Sequence, residues 1–129
     1  MAGDLIFTSA ILPLDNAGRL IGGPADVTMH SDSPRSVSMI MDALDGRVAA
    51  QAWAVHRTLK QLLDEHGSSI EDVLKLNLYL KDMKDFPLVA RIGHEFFRNS
   101  SPAITPIQAA HLPFKGARLQ IDAIALTSR

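Results

Sequence analysis

The stretch from Ser100 to Leu126 constrains the fold most, because it holds two apolar-rich runs separated by turn residues. In the second run polar and apolar residues alternate, in the order Arg118, Leu119, Gln120, Ile121, Asp122, Ala123. This is the period of a β-strand with one face on a core. Gly116 lies in the turn, where it can adopt the positive φ that a tight connection needs. The stretch therefore predicts a β-hairpin, which requires further strands to join and a helical layer to cover one face.

Two more strands are predicted upstream. Leu5–Pro13 is short and rich in apolar and β-branched residues, which indicates a buried strand. Val73–Leu80 alternates leucine with lysine, asparagine and tyrosine, the pattern of a strand with one buried face.

Two helices are predicted as well. Val48–His66 carries apolar residues at helical spacing, with Asp45 as its N-cap and Gly67 at the left-handed position after its end. A second helix begins after Asp85, its predicted N-cap, with Pro87 in the first turn, where the missing N–H costs nothing. The element order is β, a long excursion, α, β, α, β, β. This order predicts an α+β fold in which two helices cover one face of a mixed sheet.

Residues 22–47 form an excursion far longer than the usual connection of about two to six residues. Its apolar patch favours an ordered short helix or strand and comprises Val37, Met39, Ile40, Met41 and Leu44. Two interpretations stay open. The segment takes the place of a further strand beside Leu5–Pro13 or covers the exposed edge of that strand, or it forms a methionine-rich lid over a ligand cleft.

Length and composition indicate a single domain over residues 1–129. The formal net charge is −1, so no overall field attracts nucleic acid or an anionic membrane surface. The chain has no cysteine, which excludes a disulfide, a thiolate metal site and a cysteine nucleophile. The N-terminus lacks the pattern of a signal peptide, and no apolar run is long enough to span a membrane. We therefore expect a cytoplasmic protein.

The histidines do not form a metal motif. His94 stands next to Glu95, but a zinc-binding helix needs a second histidine four residues after the first, where Arg98 stands. His30, His56 and His66 have no partner at a ligand spacing. No metal is therefore predicted.

Several strings resemble the Rid family of reactive intermediate deaminases, also called the YjgF family. The match runs through GDLIFTS at 3–9, AAQA at 49–52, GSSIEDV at 67–73, YLKDMKDF at 79–86, and from the Pro-Ala pair at 102–103 to the Leu-Pro pair at 112–113. The resemblance implies a chorismate-mutase-like two-layer fold, a homotrimer, and a small-molecule cleft at each subunit interface. It also implies that active members hydrolyse enamines or imines to keto acids and ammonia without a cofactor.

Two positions that the resemblance makes catalytic are changed here. In the family an arginine after the Pro-Ala pair binds the substrate carboxylate through two charge-assisted hydrogen bonds, and a glutamate on the last strand positions the attacking water. Ile104 stands at the arginine position and Gln120 at the glutamate position. Two lost bonds to a charged group, at about 1.5–3 kcal/mol each, weaken recognition of the usual substrate roughly 10²–10⁴-fold.

Other candidate cleft residues follow from the same alignment. Ala90, Pro106 and Ile11 replace polar family residues. Ser9 could hold a ligand carboxylate or cap its own strand, and His111 could titrate near neutral pH or be a solvated strand-end residue. Gln120, too, can orient a water without accepting its proton, or it is simply a polar strand residue.

Three functions stay open on the sequence alone. The first is a Rid-like homotrimer that binds a less acidic small molecule or hydrolyses it by diverged chemistry. The second is an imine or enamine deaminase, hence a hydrolase, that uses a relocated arginine such as Arg91 or Arg118. The third is a structural or regulatory trimer without a ligand.

Overall fold

A computed structural model describes residues 4–23, 25–28 and 46–127, and its elements follow the predicted order. The strands are β1 (Leu5–Phe7), β2 (Val73–Leu80), β3 (Ala103–Gln108) and β4 (Leu119–Leu126). The helices are α1 (Ala25–Thr28), α2 (Gly46–Glu65) and α3 (Phe86–Phe96), with 3₁₀ turns at Ile70–Asp72 and Met83–Asp85. The predicted α+β architecture, with helices on a four-stranded mixed sheet, is confirmed.

The sheet order is β1-β4-β2-β3, which overturns the predicted hairpin. β4 runs antiparallel to β1 and β2, whereas β3 runs parallel to β2. Because α3 connects β2 to β3 as a crossover, those two strands pair in parallel. β4 then pairs with the other edge of β2, and its own second edge pairs with β1. The connection at 109–118 joins β3 to β4, which lie on either side of β2. Gly116 within it has the predicted positive φ, 88°.

The first strand is shorter and more exposed than predicted. It spans Leu5–Phe7, and both Leu5 and Phe7 are exposed. Their partners on β4 are Leu126 and Ile124, which point away from the helices. Past the strand, Ile11 continues the pairing as a single bridge, since its N–H donates to the Ile121 carbonyl at 2.7 Å.

The helix ends follow the sequence in part. Gly67 has the left-handed φ predicted for it, 76°, and Pro87 lies in the first turn of α3. Asp85 precedes α3 as predicted, but its side chain does not cap the helix. It accepts a hydrogen bond from Arg118 Nη2 at 2.9 Å instead, because a charged donor binds a carboxylate more strongly than a backbone amide does. Asp45 lies outside the described residues.

The core lies between the two long helices and one face of the sheet. Its strand residues alternate along β2 and β4, and its fully buried larger members are Leu59, Leu63, Leu76, Leu78, Leu80, Ile92, Leu119 and Ile121. The opposite face of the sheet, which the described helices do not cover, is called the open face below. Within residues 22–47 the structure describes Gly22, Gly23 and α1, so the apolar patch at 37–44 and its two interpretations lie outside the described residues.

Candidate functional site

A pocket of about 210 Å³ lies between α3 and the edge of the sheet formed by β2 and β3. Ile104, the residue after the Pro-Ala pair, lines it together with Ala90 of α3. The register explains this position, because Ile104 pairs with Leu76, a residue of the helix-covered face, and paired residues share a face. The structure thus brings two of the sequence-predicted site residues to one pocket.

The described walls of the pocket are mostly apolar. Its polar lining residues are His56, His94, Ser100 and Ser101, and the rest are apolar side chains, one glycine and one proline. Among the described lining residues there is no lysine, arginine, aspartate or glutamate. A carboxylate ligand would therefore find no guanidinium or ammonium in these walls to bind it.

His56 is the polar residue buried deepest in this pocket. Its Nδ1 lies 2.7 Å from the Ala52 carbonyl oxygen, and its ring stacks on Phe96 with centroids 5.4 Å apart. Phe97 meets the same ring edge-on at 5.9 Å. Burial lowers the pKa of His56 to about 4, although the bond to Ala52 acts in the opposite direction. The imidazole is therefore neutral at physiological pH.

Sequence reasoning missed His56 because it searched for metal spacings. One signal was present: His56 follows Ala52 by four residues, so it lies on the apolar stripe of α2. Gly93 is a second signal. A Cβ at Gly93 would lie 2.9 Å from His56 Nε2, so the small residue in the inner stripe of α3 makes room for the ring.

Gln120 lies on the open face, away from the pocket. It pairs with Tyr79 across β2, and its Oε1 is buried without a hydrogen-bond partner among the described residues. Ile104, at the family's arginine position, faces the helices, whereas Gln120, at the glutamate position, does not. Within one chain the two positions therefore lie on opposite sides of the sheet. One subunit alone cannot bring these two positions together.

The remaining predicted residues are scattered. Ile11 is buried and Pro106 lies half-buried on β3, on the helix face as Ile104 does. Ser9 is exposed after β1, and His111 is exposed in the connection between β3 and β4. None of these four lines the 210 Å³ pocket.

The open face carries a polar cluster of six residues, which are Lys75, Asn77, Tyr79, Thr105, Gln120 and Asp122. Lys75 Nζ donates to the Thr105 hydroxyl, and Asn77 Nδ2 donates to Asp122 Oδ1 at 2.8 Å. Burial, followed by the hydrogen bond and charge of Asp122, raises the pKa of Tyr79 above its ordinary value.

The two arginines proposed as relocated substrate anchors lie elsewhere. Arg118 binds Asp85, whose side chain is buried, and a buried carboxylate needs such a partner. Arg91 is exposed on α3. Neither residue lines the pocket beside Ile104.

A larger cavity, of about 320 Å³, lies between residues 14–21 and α2 and contains none of the predicted site residues. Its carboxylates have local structural roles. Asp15 accepts bonds from the backbone N–H groups of Ala17 and Arg19, both at 2.9 Å. These bonds lower the pKa of Asp15, with the Arg19 N–H contributing most. Asp26 accepts from the Gly22 N–H at 2.7 Å.

Residues 4–23, 25–28 and 46–127 contain no group of three or more histidine, aspartate or glutamate side chains that could hold a metal ion. No helix in this part of the chain is long and apolar enough to cross a membrane.

Fold and pocket together define a small α+β protein with a small-molecule-sized pocket at the sheet edge. The family model described as Endoribonuclease L-PSP matches residues 36–127. The chain belongs to this family, which is the Rid/YjgF family of the resemblance.

Individual relatives agree with the assignment. A RutC family protein of Pyrococcus abyssi is 33% identical over 84 residues, which are 65% of this chain and 65% of the relative. The human 2-iminobutanoate/2-iminopropanoate deaminase is 32% identical over 83 residues, covering 64% of this chain and 60% of the enzyme. The chain thus spans somewhat less than two thirds of the length of these relatives. The structure of a Klebsiella pneumoniae protein described as a putative endoribonuclease shares the fold, with a TM-score of 0.84 at 24% identity over 98% of this chain and 97% of that one.

Proposed function

We propose that this Rid-family protein binds a small, uncharged, largely apolar molecule in the pocket beside Ile104 and does not accelerate the hydrolysis of 2-imino acids. The observation that carries the proposal is the absence of lysine and arginine from the described lining. The substrates named for the human relative are carboxylates, and a site for them needs a cation. At the arginine position this chain offers an isoleucine in an apolar wall.

The test is to mix the protein with freshly generated 2-iminopropanoate and follow keto-acid formation. We expect no acceleration over the uncatalysed rate, and a protein-dependent acceleration would overturn the proposal. Ile104→Arg restores the missing guanidinium and is expected to give measurable binding of 2-oxo acids. Met83→Arg is the control, because Met83 is an exposed apolar residue of a 3₁₀ turn that does not line the pocket and lies outside the strands of the open face. Equal effects of the two variants would contradict a role for this pocket.

A second candidate function is that of the imine deaminases. Its support is that the human relative and a Dermatophagoides farinae relative, which is 28% identical over 85 residues, are both named 2-iminobutanoate/2-iminopropanoate deaminase. In that case Gln120 and the arginine position of another copy would have to meet at a subunit interface. The 2-iminopropanoate assay separates this candidate from the first.

The homotrimer of the resemblance is part of the proposal, with the open face as its contact surface. Phe7 is 68% exposed there and has exposed Leu5 beside it on β1, and Ile107 is exposed on β3 at the opposite edge of the sheet. Exposed apolar groups of this size on one face favour association. Sedimentation equilibrium should give three times the 14.0 kDa mass of the chain. Phe7→Asp should shift the mass towards that of one chain, while Met83→Asp, at an exposed apolar residue in a 3₁₀ turn, should not. A monomeric wild type would contradict the trimer.

A further inference from the structure

His56 offers the pocket a hydrogen-bond acceptor that nothing else in the described chain uses. The Ala52 carbonyl can only accept, so Nδ1 of His56 must carry the proton that it donates to that oxygen. In a neutral imidazole the other nitrogen, Nε2, then holds a lone pair. Nε2 makes no hydrogen bond to the described residues, and the ring lines the pocket next to Gly93.

The tautomer and the ring position are both fixed. The bond of 2.7 Å to Ala52, the stack on Phe96 and the edge contact with Phe97 hold the imidazole from three sides. An acceptor held this firmly needs no reorganisation to bind a donor, which is what gives a small site its directional preference. A ligand donor that reaches this lone pair forms a hydrogen bond that the described residues do not supply.

Ser100 adds a second unused polar atom to the same pocket. Its Oγ is buried and makes no hydrogen bond to the described residues, although Ser100 lines the pocket. A hydroxyl can both donate and accept, and its hydrogen can rotate to suit a ligand. Besides the side chains of His94 and Ser101, the mostly apolar pocket therefore offers two polar atoms that the described residues do not use, His56 Nε2 and Ser100 Oγ.

The ligand's charge and size follow from the walls. A cation would find no carboxylate and an anion no ammonium or guanidinium among the described lining residues, so a neutral molecule fits best. A cavity of about 150 Å³ lined by apolar side chains can hold benzene. The volume here, about 210 Å³, leaves room for a substituted ring or a branched aliphatic chain of similar size.

His56 is poorly suited to act as a base. General-base catalysis is most effective when the pKa of the base lies near the working pH. Because burial lowers the pKa of His56 to about 4, its lone pair accepts a hydrogen bond readily but seldom takes the proton. Binding, rather than proton abstraction, is the role that this residue can perform.

We infer that the ligand of this pocket is a neutral alcohol or phenol with an apolar body, whose O–H group donates a hydrogen bond to His56 Nε2. The inference rests on the proposed function, since it names the ligand class of the same pocket. It also assigns a specificity-determining role to a residue outside the set predicted from the sequence.

The test uses p-cresol and p-xylene, which have nearly the same shape and differ in one hydroxyl group. Affinities of the intact protein for both are measured by isothermal titration calorimetry. In His56→Leu the ratio of p-cresol to p-xylene affinity should fall about three- to tenfold, as expected for one neutral hydrogen bond. His56→Gln, which can place an amide oxygen near the Nε2 position, should keep part of the preference.

His66→Leu is the matched control. His66 Nδ1 also lies 2.7 Å from the carbonyl oxygen four residues earlier, that of Leu62, but His66 is exposed and does not line the pocket. Its removal should leave the affinity ratio unchanged. An equal fall in both histidine variants would overturn the assignment to His56.

A measurement on the wild type keeps the test valid if His56→Leu does not fold. Adding p-cresol should shift the ¹⁵N resonance of His56 Nε2 towards that of a hydrogen-bonded nitrogen, and p-xylene should not. If the protein binds neither compound, the proposed function itself fails. If it binds both but the ratio and the Nε2 resonance do not respond, the pocket stands and the role of His56 is overturned.

Discussion

The two faces of the sheet are formed by the same alternating strands but carry different kinds of side chain. On the helix-covered face, leucine, isoleucine and alanine of β2 and β4 form a closed core with α2 and α3. On the open face, the same strands present the cluster of Lys75, Asn77, Tyr79, Thr105, Gln120 and Asp122, flanked by exposed Leu5, Phe7 and Ile107. The covered face is complete within one chain. The open face has both apolar and paired polar groups, a composition typical of a protein interface.

This difference separates the two parts of the site that the family resemblance would join. Ile104 belongs to the covered face and lines the pocket beside α3. Gln120 belongs to the open face, where a further copy of the chain would have to supply its partner. A substitution at Ile104 therefore acts on the pocket beside α3, whereas one at Gln120 acts on the open face.

The largest expected effect is on the free energy of unfolding, when an isoleucine of the covered face is compared with one of the open face. Ile121→Ala removes a fully buried side chain of the covered face and should lower the free energy of unfolding by about 2–5 kcal/mol. Ile107→Ala on the open face should cost less than about 0.5 kcal/mol when the chain is monomeric. Urea unfolding followed by the fluorescence of the single tryptophan measures both. A large Ile107 loss that depends on protein concentration would show that other copies cover the open face. A large loss independent of concentration would contradict the contrast between the faces.

The second effect is a loss of folding stability at acid pH, caused by His56 on the covered face. His56 has a pKa of about 4 when folded, against 6.5 for the ordinary side chain. Between these values the unfolded chain binds a proton that the folded chain does not, so stability falls as the pH is lowered. The contribution is about 1.4 kcal/mol per pH unit between 6.5 and about 4, and it is absent above that window.

The check for this pH effect is the difference between wild type and His56→Leu. Both are unfolded in urea at several values of pH from 8 to 4.5. The wild-type stability should decline more steeply than that of the variant below pH 6.5, and the two should run in parallel above it. Parallel curves over the whole range would mean that His56 is not buried in its neutral form.

A smaller effect is expected for Gly93, where α3 approaches His56. Alanine is the better helix former by roughly 0.5–1 kcal/mol, but its Cβ would lie 2.9 Å from Nε2 of a ring that Phe96 and Phe97 hold in place. We expect Gly93→Ala to destabilise by about 1–2 kcal/mol through overpacking. In a His56→Ala background the same change should be neutral or stabilising, and thermal unfolding of the four variants tests this cycle. Destabilisation of the same size in both backgrounds would contradict the contact.

The smallest effect lies on the open face and leaves stability almost unchanged. Asp122→Asn removes a charge and alters a hydrogen bond that help to raise the pKa of Tyr79. The pKa should fall part of the way towards its ordinary value and stay above it, because burial, the main cause, remains. The chain has one tyrosine, so the ultraviolet absorbance of tyrosinate reports this residue alone. Asp64→Asn on the exposed side of α2 should not change the titration. An unchanged titration in Asp122→Asn would show that the two side chains do not interact.

Local signals in the sequence were sufficient for most elements. The alternation of Val73–Leu80, the stripe of α2 and the positions of Gly67 and Pro87 depend on neighbours within one turn or one strand, and the structure agrees with all of them. The hairpin failed because strand pairing is not local. Two consecutive strands joined by a turn form a hairpin only if no other strand offers a better edge. Here β2 lies between β3 and β4.

The sequence by itself determined the family, the elements and the presence of Ile104 and Gln120 where the resemblance expects a cation and an acid. Tertiary structure decided which side of the sheet each of these residues faces. The alternation along a strand shows which residues share a face, but only the strand register and the position of the helices show which face is covered. It also decided that His56 is a neutral pocket acceptor rather than a solvated histidine. His66 makes the same bond to the residue four positions earlier, and only the packing of Phe96, Phe97 and Gly93 distinguishes the two.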